Sequence, residues 1–454
     1  MAKPPDTDGK GKPSASLFYV PLSQAILYWL KLGFISFGGP AGQIAMMHAE
    51  LVERRRWISE QRFLHALNYC MLLPGPEATQ LAIYIGWLMH RTLGGIVAGI
   101  LFVLPSLLLL IALSWLYMAY GSLPAVAGVL YGMKPAVVAI VLAAAWRIGQ
   151  RTLRNRLLAA IALAAFIAIS VLRLPFPAIV ASAALLGWLG GRLRPQAFSL
   201  GAGAHAATAA PGASHPPALI DDHTPTPPHA RFSWAGLLRT SAAGSALMAL
   251  AWLLLAWLFG ADRTLAQMGW FFSKAALMTF GGAYAVLPYV YQGGVEHFQW
   301  LSAAQMVDGL ALGETTPGPL IMVVAFVGFV GAWTHDAIAG QPALAGVLGA
   351  LVAAWFTFVP SFVFILAGGP LVESTRGNLR MTAPLTAIAA AVVGVIASLA
   401  LFFGSHVFRP AGQWEWPALL IAAAAAIALM RFKQGTIRVL IACAIAGIVL
   451  SYRV

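Results

Sequence analysis

Leu73-Pro74-Gly75-Pro76-Glu77 interrupts an otherwise apolar run, and Thr316-Pro317-Gly318-Pro319-Leu320 interrupts another 243 residues later. The same register carries Phe37-Gly38-Gly39 onto Phe280-Gly281-Gly282, Trp57 and Ser59 onto Trp300 and Ser302, Lys31 onto Lys274, and Glu53 onto Glu296. Leu104-Pro105-Ser106 returns as Val359-Pro360-Ser361 at a register of 255, so an insertion lies before this last match. Two copies of one apolar unit with helix breakers in matching places are the sequence pattern of a membrane transporter.

Composition agrees. Hydrophobic residues make up 60% of the 454 residues and charged residues 9%, where a soluble domain carries roughly 25% charge. That much apolar surface cannot be hidden in a water-soluble core, so an integral membrane protein is expected. The first sixteen residues are polar and carry Lys3, Lys10 and Lys12, which is not a signal-peptide pattern. Cys70 and Cys443 both lie in apolar segments and offer neither a disulfide framework nor a metal pair. The net charge of +13 comes from short basic clusters between apolar stretches, a topology signal rather than a nucleic-acid surface.

The expected fold is all-α. A polar tail (1–17) precedes a first transporter repeat (18–190), a Pro/Gly/His-rich linker (191–233), an extra transmembrane segment (234–262) and a second repeat (263–454), with about thirteen apolar segments in all. Six segments plus one separate the starts of the repeats. That odd number turns the second copy upside down, an inverted repeat. With a cytoplasmic N-terminus and a periplasmic C-terminus, most basic clusters fall inside. Arg54-Arg55-Arg56 with Arg62 is the exception if every segment crosses. The exception disappears if the FGG and PGP segments are re-entrant hairpins of two half-helices; kinked crossings are the alternative.

Pro-Gly-Pro cannot continue an α-helix. Pro76 is expected at the first position of a new half-helix, with Glu77, Ala78 and Thr79 in its first turn and their free N–H groups aimed into the break. Gly38-Gly39-Pro40 has the same form, whereas Gly281-Gly282 is followed by Ala283. A small anion is then expected at Gly38, Gly39, Pro40, Pro74, Gly75, Pro76, Gly281, Gly282, Pro317, Gly318 and Pro319. Gln80 is a candidate donor, and Lys31 and Lys274 are candidate counter-charges. Each has a plainer reading: simple kinks for the prolines, snorkelling for the lysines.

A carboxylate deep in an apolar segment is expensive unless neutral, paired or wetted, which singles out Glu77 and Glu314 as proton carriers. Asp308 reads as a buried partner and Lys134 as ambiguous. Trp57 and Trp300 read as interface markers. The linker histidines fit no metal template. A nucleotide-binding loop and hydrolase or zinc motifs are missing, so neither an enzyme nor a bound cofactor is expected.

Phe37-Gly38-Gly39-Pro40, Glu50-Leu51-Val52-Glu53-Arg54-Arg55-Arg56-Trp57-Ile58, Leu73-Pro74-Gly75-Pro76-Glu77 and Phe102-Val103-Leu104-Pro105-Ser106 resemble the chromate ion transporter family, and the second-half motifs resemble its carboxy-terminal domain. The resemblance implies a multi-pass protein of the bacterial inner membrane, of the long two-domain type. It implies proton-driven chromate efflux as an antiporter, and chromate resistance. The expected partners are chromate or a sulfate-like oxyanion, protons, the lipid bilayer and a second copy in a homodimer. A sulfate importer and a passive anion channel stay open as alternatives.

Overall fold

The computed structural model describes residues 20–37, 39–198, 218–222, 224–280, 282–374 and 382–451. The first half runs α1 (Leu22–Ile35), α2 (Gly39–His48) with a π-helical turn (Ala49–Arg54), α3 (Glu60–Cys70), α4 (Glu77–Tyr120), α5 (Pro124–Thr152), α6 (Arg156–Ser170), α7 (Phe176–Leu193) and a short α8 (Pro195–Phe198). After α9 (Trp234–Phe259) come α10 (Thr264–Leu277), α11 (Ala283–Tyr291) with a π-helical turn (Gln292–His297), α12 (Ala303–Thr315), a 3-10 turn (Leu320–Met322) leading into α13 (Val323–Thr334), α14 (Pro342–Ser374), α15 (Thr382–Phe408), α16 (Trp416–Met430) and α17 (Thr436–Ser451). Among the described residues six helices are long and apolar enough to cross a membrane: α4, α5, α7, α9, α14 and α15.

The duplication reaches down to single backbone angles. Arg56 and Gln299 both stand at φ 54°, and Gly75 and Gly318 at 127° and 106°. Arg173 and Lys433, in the turns after α6 and α16, stand at 50° and 51°. Ser59 and Ser302 each accept a hydrogen bond from a backbone N–H three residues on, capping α3 and α12.

At each FGG break the chain folds back. From Gly39 to Trp57 the helical path would carry the chain more than about 20 Å at 1.5 Å per residue, yet the Trp57 ring packs against Tyr28 in the middle of α1 at 5.5 Å. Trp300 packs on Phe271 at 5.3 Å, the same pair in the second copy. Both tryptophans are therefore buried in hairpin bases, where the sequence suggested lipid–water interface markers.

α4 is itself bent double. His90 (φ −133°, ψ 31°) and Arg91 (φ 56°, ψ −158°) leave the helical region between arms 77–89 and 92–120. A Cβ on Gly86 would lie 2.4 Å from the Gly94 carbonyl oxygen, whereas eight residues of straight helix span about 12 Å. Gly328 and Gly349 bring α13 and α14 together in the same way. Close backbone approach through small residues is how helices pack tightly in lipid. Across the repeats, Gly95 faces Leu366 and Gly99 faces Phe362, so the long arm of α4 and α14, which are equivalent, run antiparallel.

α9 has no buried residue and lies outermost, held by the Trp252 indole N–H donating to the Ala266 carbonyl at 3.0 Å. The segment expected to be a passive linker is docked where it is described. Leu219 N–H donates to the Arg56 carbonyl, Ile220 N–H to Trp57, and Ser59 N–H to Ile220, forming an isolated parallel bridge. Ser59 donates its hydroxyl to Asp222, Arg62 donates to the Thr224 carbonyl, and His229 bonds the Trp87 carbonyl at 3.1 Å. This strap ties the hairpin bases of the first repeat to one another. His205, His215 and His223 lie outside the described residues.

Candidate functional site: the crossed helix breaks

Proline and glycine leave carbonyls and N–H groups without helical partners, and buried backbone groups must find some. Here each break finds its partner in the other repeat. Gly75 N–H donates to the Thr279 carbonyl at 2.7 Å, and Gly318 N–H donates to the Ser36 carbonyl at 2.8 Å. Ser36 and Thr279 are themselves equivalent, so the two bonds are one interaction made twice about a pseudo-two-fold axis. The serines of the Leu-Pro-Ser and Val-Pro-Ser motifs cross over too. Ser361 lies against Gly75 and Ser106 against Gly318, each so close that a Cβ on the glycine would collide with it. The positive φ of both glycines is the second reason no larger residue fits. Beyond Gly39 and Gly282 the space is open.

Two glutamines from the first repeat seal the breaks. Gln80 Nε2 donates to the Pro74 carbonyl at 2.7 Å. Gln43 Nε2 donates to the carbonyls of Gly318 and Ser36, at 2.5 and 3.3 Å. Their counterparts in the second repeat are Val323 and Val286.

A set of polar atoms around these breaks is buried and makes no hydrogen bond: the hydroxyls of Ser36, Thr79, Ser106, Thr357 and Ser361, and Oε1 of Gln43 and Gln80. Leaving such groups unpaired is costly, so they mark a place shaped for a polar guest. The hydroxyls can donate to an oxyanion, and the N–H groups of Glu77, Ala78 and Thr79 precede the first helical bond of α4, made by Gln80 N–H to Pro76.

Of the residues singled out in the sequence, Pro40, Pro74, Pro76, Gly39, Gly75, Gly282, Pro317, Gly318 and Pro319 all lie in or beside these breaks. Gly38 and Gly281 lie outside the described residues. Pro76 sits one position earlier than expected: it is the N-cap residue, and Glu77 opens the helix. Gln80 differs from the expectation of a free donor, because its amide N–H is spent on Pro74 and only Oε1 is left over.

Lys31 and Lys274 are corrections. Lys31 is exposed on the α1 stripe that carries Leu27, Phe34 and Ile35, while Tyr28, Trp29, Leu32 and Ser36 form the buried stripe. Lys274 stands over the exposed Trp270 ring at 5.5 Å. Helical phase turns the Lys31 ammonium outward, away from the crossed breaks, and the half-buried Lys274 sits over Trp270.

The carboxylates are handled differently from one another. Tyr284 donates its hydroxyl to Glu314. Asp308 is buried, paired with Lys134 at 3.3 Å and accepting from Tyr117 at 3.0 Å. Glu77 is half-buried at the start of α4. Glu373 was missed by the sequence reading: it is buried near the end of α14 and accepts from Tyr84 at 2.5 Å. Local sequence gave no sign of it, because Tyr84 is 289 residues away. Ser106 and Ser361 were also missed as site residues, though their presence at one motif position in both copies was a usable signal. Of the arginine run, Arg54 and Arg55 hold Glu50 at 3.0 and 2.7 Å, and Arg55 also covers the Tyr28 and Trp57 rings; Glu53 lies against His48 at 3.2 Å. Among the described residues no cluster of His, Cys, Asp and Glu could hold a metal ion.

Comparison with known proteins accounts for the motifs. The family model described as chromate transporter matches residues 23–188 and 266–448, one match per repeat. A chromate transport protein of Cupriavidus metallidurans is 30% identical over 434 residues, covering 95% of this chain and 93% of the relative. A probable chromate transport protein of Synechococcus elongatus is 29% identical, covering 96% and 99%. A chromate transport protein of Pseudomonas aeruginosa is 34% identical, covering 83% and 80%. No solved structure matches the chain. With both repeats matched and relatives similar along nearly their whole length, the chain belongs to the chromate transporter family.

Proposed function

We propose that this protein is a secondary transporter that exports chromate from the cytoplasm across a bacterial inner membrane, using the proton gradient, and so confers chromate resistance. The observation that carries the reading is the reciprocal pair of hydrogen bonds, Gly75 to Thr279 and Gly318 to Ser36, which crosses the two broken-helix motifs at one centre. Inverted repeats that meet at interrupted helices suit alternating access, because exchanging their two packings opens the centre to opposite sides. The antiparallel arms of α4 and α14 support an inverted relation. The folded-back hairpins support re-entrant segments, with Arg54, Arg55, Arg56 and Arg62 on the cytoplasmic side beside a cytoplasmic N-terminus. The C-terminus then emerges in the periplasm.

In this mechanism the dianion is drawn by the basic cytoplasmic rim and docks among the unpartnered hydroxyls and the first N–H groups of α4. Neutral donors in a low-dielectric pocket hold an anion without a fixed counter-charge. Glu77 and Glu314 exchange protons as the repeats rock, and coupling requires that proton and substrate favour different conformations. The names of the relatives supply chromate as the substrate; the donor chemistry suits sulfate equally. The test is uptake of labelled chromate into inside-out vesicles under an imposed proton gradient, with excess sulfate as competitor. Gradient-dependent uptake that excess sulfate reduces is the expected result. Uptake that merely equilibrates, with or without the gradient, identifies a channel instead.

A further inference from the structure

The crossed breaks look symmetric in backbone, yet their donor sets differ. At the first break Ser361 comes in from the other repeat and lies against Gly75, its hydroxyl buried and unpartnered. One turn earlier on α14, the Thr357 hydroxyl is in the same condition. Two residues after Gly75 α4 begins, its first-turn N–H groups preceding the first helical bond and its Thr79 hydroxyl buried and unpartnered. At the second break Ser106 lies against Gly318, and the hydroxyls of Ser106 and Ser36 are buried and unpartnered there as well; each break has its glutamine, Gln43 donating to the carbonyls of Gly318 and Ser36 and Gln80 to the Pro74 carbonyl at the first. The residues after Pro319 are Leu320, Ile321 and Met322, wound into a 3-10 turn rather than an α-helical start. Apolar side chains replace Glu77 and Thr79 there.

We infer that the transported oxyanion is held at the first break only, with Ser361 as a specificity-determining hydroxyl donated by the second repeat, while the second break, which opens into an apolar 3-10 turn in place of an α-helical start, is a structural copy. This rests on the reading of the protein as an oxyanion transporter and names which half of the site binds. The ligand class is a tetrahedral oxyanion, because the Ser361, Thr357 and Thr79 hydroxyls and the first backbone N–H groups of α4 can donate to it. The arrangement also ties binding to both repeats: an anion held here would touch the start of α4 in one repeat and α14 of the other.

The experiment compares Ser361→Ala with Ser106→Ala in the full-length protein, using chromate and sulfate as probes. Removing a hydrogen bond to a charged group weakens binding about tenfold or more. Ser361→Ala is expected to raise the KM for chromate at least about tenfold, leave kcat within about twofold, and weaken sulfate competition in parallel. Ser106→Ala is expected to change KM less than about threefold. Thermal melting of both purified variants checks folding, and Ser361→Cys adds a second readout. Its thiol should be shielded from a small methanethiosulfonate by chromate or sulfate, and the thiol of Ser106→Cys should not. Equal effects of the two alanine variants, a larger effect of Ser106→Ala, or no shielding at position 361 overturns the inference. Failure of the unmodified protein to take up chromate in vesicles overturns the functional reading instead, so the two failures are told apart.

Discussion

At the first break Pro76 is followed by Glu77, Ala78, Thr79 and Gln80; at the second, Pro319 is followed by Leu320, Ile321, Met322 and Val323. On the other side of each break the polarity reverses. Glu314, Thr315 and Thr316 precede the second Pro-Gly-Pro, where Met71, Leu72 and Leu73 precede the first. The loops at the hairpin bases differ as well, Arg54-Arg55-Arg56 in one copy and His297-Phe298-Gln299 in the other, each ending on a residue at φ 54°. Duplication has thus kept the glycines, prolines and serines that shape the backbone, while the ionisable and amide side chains have been redistributed. A backbone that must cross its own copy constrains both copies alike. A transport cycle needs one place to hold the anion and another to move protons, which favours chemical divergence.

Substituting the glycines strikes what the halves share and has the largest expected effect. Gly75→Ala and Gly318→Ala each place a Cβ at 2.4 to 2.6 Å from the crossing serine, at φ values L residues rarely adopt. The strain is on the order of 1–3 kcal/mol in each case before the clash is added. Both are expected to abolish vesicle uptake and lower the melting temperature. Tolerance of one but not the other shows that the copies are not mechanically equivalent.

Next comes what the halves do not share. Glu77→Gln is expected to keep chromate binding and lose the dependence of transport on the proton gradient, whereas Leu320→Gln at the equivalent position should change neither. Uptake by Glu77→Gln that still follows the gradient removes Glu77 as the proton carrier and leaves Glu314 as the candidate.

The glutamine seals test the asymmetry more gently. Gln43→Val and Gln80→Val copy the second repeat into the first. Each removes hydrogen bonds to backbone carbonyls freed by a break, an expected loss of about 1 kcal/mol per bond. Differential scanning fluorimetry and uptake rates measure the two consequences. Unchanged melting in both variants shows that the breaks do not need their seals.

The smallest effect is expected at the strap, which the first repeat carries alone among the described residues. His229 stacks edge-on against Trp87 and bonds its carbonyl. Burial pushes its pKa below the ordinary 6.5, although the Trp87 carbonyl opposes this. A depressed value in the docked state favours the neutral ring. Docking is therefore fully stabilised above pH 6.5 and weakens as pH falls below it. Limited proteolysis or hydrogen exchange across residues 224–231 should show faster opening at pH 5 than at pH 7.5. His229→Ala should flatten that difference. A pH dependence that survives the substitution assigns the effect elsewhere.

Much of this organisation was readable in the chain. Composition required a membrane protein because 60% apolar residues cannot be buried from water at this length. The register of 243 identified the repeats, and Gly75, Gly318 and their prolines identified the breaks, since local backbone chemistry alone forbids a helix there. Glu77 and Glu314 stood out because a carboxylate among apolar neighbours is conspicuous in any order of residues.

What the chain alone could not supply is which surfaces meet. Lys31 and Lys274 kept their register, but Lys31 turns outward and Lys274 sits over Trp270, because a helix packs by phase and only its neighbours say which phase faces in. Ser361 stands 286 residues from Gly75, and Glu373 stands 289 from Tyr84. Contacts at such separations leave no periodic trace in either partner. Sequence by itself determined where the helices must break and that the pattern occurs twice; only the tertiary structure decided that each break is completed by the other copy. The physical reason is that helix propensity acts over a few neighbouring residues, while hydrogen bonds left open by a break are satisfied by whatever backbone packing brings within 3 Å.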